Sequence, residues 1–383
     1  MGLAPAVARY LVYFQYVGTD FNGVAAVRGV QRAVGVQNYL EEAAKRLNSV
    51  EPVKFTLSSR TDAGVHALSN AAHLDVQRRQ NKPPFPPEIL VKALNTHLRH
   101  PGIRVLQAFR VPSDFHARYA ATSRTYMYRL VTGCACHHHL PVFERNLCWA
   151  LPADRLDVAA MQDAAQHLLG THDFRSFQSA GSPAPCSIRT LRHISVSPGL
   201  ASPFVLSQES RKLQFWTLEF ESQSFLYRQV RRMTAVLVAV GLGALKPAHV
   251  KEILDSRDPL GKHQARVAPA QGLFLKSVIY GDLGHPSKRS SLLHPTGPTV
   301  WKLTVTLDVQ PGLCWSSCWT SLYSLHSALE LQCPSQPLLP FGPYYPVSAP
   351  QELAQDKKDR CDTPAAFGAA ALEYPASLSG TGS

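Results

Sequence analysis

Ser58-Ser59-Arg60-Thr61-Asp62-Ala63-Gly64-Val65-His66-Ala67 lies between two apolar runs, Val53–Leu57 and Ala71–Val76. A glycine-bearing charged segment flanked by β-rich runs reads as strand, turn, strand. Upstream, Val36, Leu40, Ala44 and Leu47 recur at helical spacing, with Glu41, Glu42, Lys45 and Arg46 on the other faces. That pattern predicts a helix with one buried stripe. Further out, Arg9–Val17 is a strand ended by a turn at Gly18-Thr19-Asp20. Downstream, Asn81–Pro87 holds four prolines and must be a loop. Pro87 and Glu88 then open a helix carrying Ile89, Leu90, Ala93, Leu94 and Leu98, and Ile103–Phe109 is again a strand. The order is β, α, β, loop, β, α, β, which is the split-βαβ arrangement of an α+β fold.

The next segment repeats these parts. Arg124–Val131 is a strand that puts Tyr126 and Tyr128 on one face. Asp154 is positioned to cap a helix reaching about Leu169. Ile188–Val196, Leu213–Phe220 and Gly272–Tyr280 are expected strands, and Tyr227–Leu242 an expected helix ended by Gly243. After Tyr280 the character changes: residues 281–383 hold 12 prolines with many Ser and Gly, and read as an irregular tail.

The chain of 383 residues has a formal net charge of +12, spread unevenly. Residues 1–280 carry 33 basic and 19 acidic side chains, a net +14, whereas 281–383 carry 6 and 8. The basic part has 24 Arg against 9 Lys. Guanidinium forks suit planar anions and phosphates, so the balance points to nucleic acid, with a merely basic soluble protein as the plain alternative. No apolar run is long enough to span a membrane. The eight cysteines show no tight disulfide spacing, which suits a reducing compartment. Residues 1–19 have no acid and one Arg, which leaves mitochondrion and cytoplasm both open. In Cys134-Ala-Cys136-His137-His138-His139 the cysteines are too close for usual structural zinc spacing, and a solvent-facing loop is the better reading.

An Arg two residues before an Asp can orient its carboxylate, but Arg60 and Asp62 taken alone fit a structural turn salt bridge better. The surrounding blocks decide. The segment around Asp62 resembles the R-T-D-x-G-V-H loop of the TruA family of tRNA pseudouridine synthases. Gly18-Thr19-Asp20-Phe21-Asn22-Gly23 resembles its early G-T-x-Y/F-x-G turn. Phe115-His116-Ala117-Arg118 resembles its F-H-A-R block, and Arg124-Thr125-Tyr126-Met127-Tyr128 its R-x-Y-x-Y strand. Phe225–Met233 resembles its F-L-x-x-M-V-R-x-M/I helix, and Ala268–Leu275 its A-P-x-x-G-L-x-L block. Six blocks in order over residues 9–280 are far more specific than one motif. Two positions depart from the family: Val24-Ala25 stands where Trp-Gln is frequent, and Gln229 where an apolar residue is usual.

The resemblance implies a pseudouridine synthase fold: two ferredoxin-like sheets side by side, with a basic cleft between them. Residues 1–112 would form the domain carrying the Asp loop, and 113–280 the domain with the Tyr strand and Arg helix. It implies isomerisation of uridine to pseudouridine in tRNA, in the anticodon stem-loop, without cofactor or metal, by a homodimer. Structured mRNA hairpins are a second RNA class with the same shape. By resemblance Asp62 is the catalytic carboxylate, as nucleophile or as an electrostatic and acid–base group. Arg60 would pair with Asp62 or with a phosphate. Tyr126 would stack on the uracil and assist loss of the C5 proton, the alternative being an ordinary core tyrosine. Arg231 would approach Asp62 and fix its rotamer. Arg228 and Arg232 share a helix face that suits phosphate or solvent. Leu273 would wall the base pocket or be simple core, and His116 and Arg118 would contact substrate. The competing functions are a catalytically silent RNA-binding or tRNA-folding protein of the same fold, and a basic module for other polyanions.

Overall fold

The computed structural model describes residues 7–27, 34–79, 82–134, 136–179, 186–201, 203, 205–206, 212–258 and 267–281. The expected tail, except Gly281, lies outside the described residues. In the first half the elements are β1 (Val7–Tyr16), α1 (Val36–Ala44), β2 (Thr56–Leu57), β3 (His66–Gln77), α2 (Pro87–His97) and β4 (Ile103–Val111). In the second they are β5 (Ala121–Thr132), β6 (Trp149–Ala150), α3 (Val158–Gln166), β7 (Gly170–Asp173), β8 (Ile188–Pro198), β9 (Gln214–Ser222), α4 (Gln229–Gly241), α5 (Pro247–Ser256) and β10 (Leu273–Tyr280).

The sequence leads one to expect two sheets side by side; the structure has one continuous sheet, in the order β4-β1-β3-β10-β5-β9-β8-β7. Its join is β10, which pairs parallel to β3 through Phe274 opposite His66 and antiparallel to β5 through Leu273 opposite Tyr128. A sheet edge left unpaired is a liability, and here each half covers an edge of the other. The described residues belong to a single compact unit.

Local chemistry accounts for the boundaries that move. Of Val53–Leu57 only Thr56–Leu57 pairs, as β2 on β3. The strand expected at Ala71 already begins at His66, so the Asp62 turn runs directly into the sheet. The cap of α3 is Asp157 rather than Asp154: its carboxylate accepts the Ala160 N–H at 2.9 Å. The helix expected from Tyr227 begins at Gln229, because Arg228 takes a left-handed backbone (φ 58°).

All of α4 is buried except Arg231. A helix apolar on every side belongs in a core, and each buried Val or Leu contributes roughly 1.5–3 kcal/mol relative to exposure. Arg231 is therefore carried on one of the firmest elements of the fold. Gln229, the departure from the family pattern, is fully buried; its side-chain oxygen accepts the Leu226 N–H at 2.8 Å and closes the turn before α4.

Candidate active site

Residues 58–65 link the paired strands β2 and β3 as a loop braced from four directions. The Tyr16 and Thr61 hydroxyls are 2.7 Å apart, and the Asn70 amide donates to the Ser59 carbonyl at 3.1 Å. The Val24 N–H donates to the Thr61 carbonyl at 3.2 Å, which gives the departed Val24 a structural place. His66 accepts the Gly18 N–H on Nδ1 at 2.9 Å, and its Nε2 faces the Gln271 carbonyl at 3.2 Å. This is the tautomer with the proton on Nε2, and burial holds the His66 pKa down. Two glycines are required here. Gly64 has φ +76°, and a side chain on Gly18 would place Cβ 1.9 Å from the Val65 carbonyl oxygen.

The fourth brace is Arg124, on β5. Its Nε donates to Ser59 Oγ at 2.9 Å, and Nη2 donates to the Arg118 carbonyl at 2.8 Å and the Ser58 carbonyl at 3.1 Å. Nη2 also reaches Ser58 Oγ at 3.2 Å, and Nη1 donates to the Gln223 carbonyl. Arg124 is buried, and burial lowers its pKa. The guanidinium thus ties together three loops that border one cavity, through hydrogen bonds to charge that are stronger than neutral ones.

That cavity holds about 670 Å³ and is lined by Asp62, Tyr126, Leu273, Phe225, Arg228 and Arg231, among others. Asp62 keeps 22% of its side chain exposed. Its Oδ2 accepts from Arg231 Nη1 at 3.1 Å and lies 3.8 Å from Arg228 Nε. Arg231 is aimed by the segment before β10: its Nε donates to the Ala268 carbonyl at 2.7 Å, and its carbonyl accepts the Ala268 N–H at 3.1 Å. Tyr126 stands edge-on to Phe225, with ring centroids 5.2 Å apart and planes at 89°. Burial, with a smaller push from the Asp62 carboxylate, raises the Tyr126 phenol to about 12, against the pull of Arg124 and Ser59. The phenol is protonated at neutral pH and is not a ready-made base. An oriented carboxylate, an aromatic ring and an apolar wall in a cavity of this size suit a planar base attached to a reacting sugar.

A sequence profile described as tRNA pseudouridine synthase matches residues 12–120 and 164–281. The chain belongs to the tRNA pseudouridine synthase family. A human protein named tRNA pseudouridine synthase-like 1 is 80% identical over 291 residues, spanning 75% of this chain and 96% of that protein. Its mouse counterpart is 76% identical over 280 residues, 73% of this chain and 96% of that protein. The tRNA pseudouridine synthase A of Maricaulis maris is 37% identical over 273 residues, 71% of this chain and 98% of that protein.

Within this tRNA pseudouridine synthase family member, the structure brings Asp62, Tyr126, Arg228, Arg231 and Leu273 to one cavity. Arg60 is exposed at the rim and, among the described residues, forms no ion pair with Asp62; the two arginines near α4 do so instead. The expected basic face of Arg228 and Arg232 is divided. Arg232 is buried, donates to Ser179 Oγ at 2.9 Å and does not line the cavity, because α4 is sunk in the core and Arg231 is its one residue that is not buried. Arg118 borders the main cavity, while His116 lines an adjoining one. The brace Arg124 went without a role in the sequence reading. Its signal was the alternation that places it on the same face of β5 as Tyr126 and Tyr128.

The cysteine–histidine segment is not simply a solvent loop. Cys134 is buried beside Cys148 in a small satellite core with Val131, Leu140 and Phe215, while His138 and His139 turn outward. Among the described residues no three potential metal ligands converge, and no helix is long and apolar enough to cross a membrane.

Proposed function

We propose that this chain isomerises uridine to pseudouridine in tRNA, with the anticodon stem-loop as its target region. Support comes from Asp62, held by Arg231 and facing the cavity that Tyr126 and Leu273 line. In this reading the target nucleotide leaves its stack and enters the cavity, at a cost of a few kcal/mol that stacking and phosphate contacts offset. Asp62 acts on the nucleotide, the N1–C1′ bond breaks, the uracil turns and C5 bonds to C1′. The C5 proton leaves and N1 gains one, so the reaction is an isomerisation that consumes nothing. Tyr126 stacks against the uracil. Leu273 and Phe225 exclude water that would otherwise trap an activated sugar.

Arg228 sits at the N-cap position of α4 with its side chain 40% exposed, so it can exchange its long contact with Asp62 for an RNA phosphate. Arg60, Arg118 and His116 extend the cationic rim, which suits recognition by backbone shape more than by base reading. The halves 1–112 and 113–280 supply opposite walls, and the active species is a homodimer. A structured mRNA hairpin of matching shape would enter the same way.

The test is tritium release from 5-tritiated uridine in tRNA under single-turnover conditions, beside a binding assay at fixed salt. Asp62→Asn should abolish release and leave tRNA binding within a few fold, because binding rests on distributed phosphate contacts. Release near the wild-type rate would overturn the assignment of Asp62. Binding without release by the wild-type protein would favour the catalytically silent reading.

A further inference from the structure

Beside the cavity that holds Asp62 lies a second, of about 400 Å³, whose wall includes Phe55, Leu57 and His116. Arg60, Arg118 and Tyr119 line both cavities and so form the ridge between them. Tyr119 is 74% exposed, an unusual degree for a large ring set between two concave surfaces. One side is backed by His116, with ring centroids 4.4 Å apart and planes at 32°, and the Arg118 guanidinium lies 5.9 Å from its centroid. The His116 ring is in turn fixed: its Nδ1 accepts the Arg118 N–H at 3.2 Å and it stands against His73 at 4.9 Å. The ring is therefore supported by a fixed neighbour while most of its surface stays open to solvent. No carboxylate lines the second cavity among the described residues, and Arg60 and Arg118 put positive charge on its wall.

We propose that Tyr119 is a stacking platform for the nucleotide next to the target uridine, and that the second cavity receives its base. The inference rests on the proposed reaction and adds a subsite to it. When the target uridine turns into the first cavity, its neighbour loses a stacking partner and is one phosphodiester away. The ridge offers that neighbour a ring face, an apolar floor at Phe55 and Leu57, and cations at Arg60 and Arg118 for the phosphate between the two. Base–aromatic stacking tolerates every base and is worth roughly 1–3 kcal/mol, so the platform would add affinity without fixing the neighbour's identity. Tyr119 touches no reacting atom in this arrangement; it is a binding residue.

The experiment uses the full chain and a tRNA stem-loop carrying 5-tritiated uridine. Each nucleotide within two of the target is replaced in turn by an abasic residue. Binding is measured by direct titration and turnover by tritium release. Tyr119→Ala should weaken binding of the intact stem-loop by about 5- to 150-fold, the range set by base–aromatic stacking. Tyr119→Phe, which keeps the ring, should restore what Ala loses. At one flanking position the abasic substitution should weaken wild-type binding yet produce no further loss in Tyr119→Ala. A merely structural role would not produce that coupling. Unchanged binding by Tyr119→Ala, or additive losses at every flanking position, would overturn the platform. An RNA-binding wild type that releases no tritium would overturn the isomerase reading, while the binding cycle would still decide the platform. Absence of RNA binding would overturn both.

Discussion

Replacement of Arg124 by Met should loosen the Asp62 loop while leaving Asp62, Tyr126, Arg228, Arg231 and Leu273 themselves unchanged. The side chain is buried and serves the carbonyls of Ser58, Arg118 and Gln223 and the hydroxyls of Ser58 and Ser59. The two hydroxyls can rotate to other partners. The carbonyls cannot; that of Ser58 lies in a buried contact and those of Arg118 and Gln223 in part-buried ones, and a buried acceptor left without a donor costs roughly 1–3 kcal/mol. Against this, removal of a buried guanidinium relieves several kcal/mol of desolvation, and Met fills much of the same volume with apolar atoms. The net expectation is a loss of about 2–4 kcal/mol, well short of the sum of the bonds. At about 2–4 °C per kcal/mol for a unit of this size class, the midpoint of thermal unfolding should fall by roughly 4–16 °C. Because the contacts are buried, the loss should persist between about 0.1 and 0.5 M salt. Tritium release at 20 °C, where the variant is still folded, should fall more than tRNA binding does, since Asp62 is carried by the loop that Arg124 ties down. A midpoint within 1 °C of wild type, or an unchanged rate at 20 °C, would refute the reasoning.

Tyr126→Phe separates ring from hydroxyl: a sharp drop in single-turnover release with binding retained assigns the phenol to proton movement, and near-normal release assigns the ring alone. His73 supplies a pH dependence. Its Nδ1 accepts the Ala117 N–H at 3.1 Å, and burial, with Arg9 and His116 adding and Asp75 opposing, holds its pKa near 4. The unfolded chain therefore binds this proton first, so stability is intact above about 6.5 and falls as pH drops toward 4. His73→Asn, a non-titrating acceptor, should flatten that part of the profile of unfolding midpoint against pH; equal slopes in both proteins would refute it. Truncation after residue 285 should leave tRNA modification largely intact, since the family match ends at residue 281; loss of folding or RNA binding would show that the tail matters.

What could be read from the sequence depended on whether a local pattern determined the outcome. The period of Val36, Leu40 and Ala44 places α1, and Pro87 fixes the start of α2, because both are local constraints. The helix α5 went unread although Pro247 opens it and Val250 and Leu254 form its buried stripe. It is a short amphipathic segment close behind the apolar run of α4, whose strong signal overshadowed it. The four-residue strand β7 has no apolar alternation, with Gly170 and Thr171 exposed, and exists through pairing with β8. The site divides in the same manner. Asp62 and Tyr126 were legible through the blocks that carry them. The fate of Arg232 was not, because helical spacing groups it with Arg228 while the depth of α4 in the core separates them. The role of Arg124 depends on carbonyls from three loops, those of Ser58 and Gln223 far off in the sequence, which no local spacing encodes.

The position of β10 has a consequence for the order of synthesis. This strand, the last one described, lies in the middle of the sheet, between β3 and β5. As the chain leaves the ribosome, β1 to β4 and then β5 to β9 can begin to pair, but each half presents an open edge until residues 273–280 arrive. Central pairing between such distant segments closes late and slowly. Asp62, Tyr126, Arg231 and Ala268 will all have been made by then, yet the cavity still lacks its Leu273 wall. A message interrupted shortly before codon 273 would thus encode nearly every residue of the proposed site without the strand that joins the two halves of the sheet. Its product would carry two adhesive edges, a target for chaperones and proteases rather than a substrate-binding fragment.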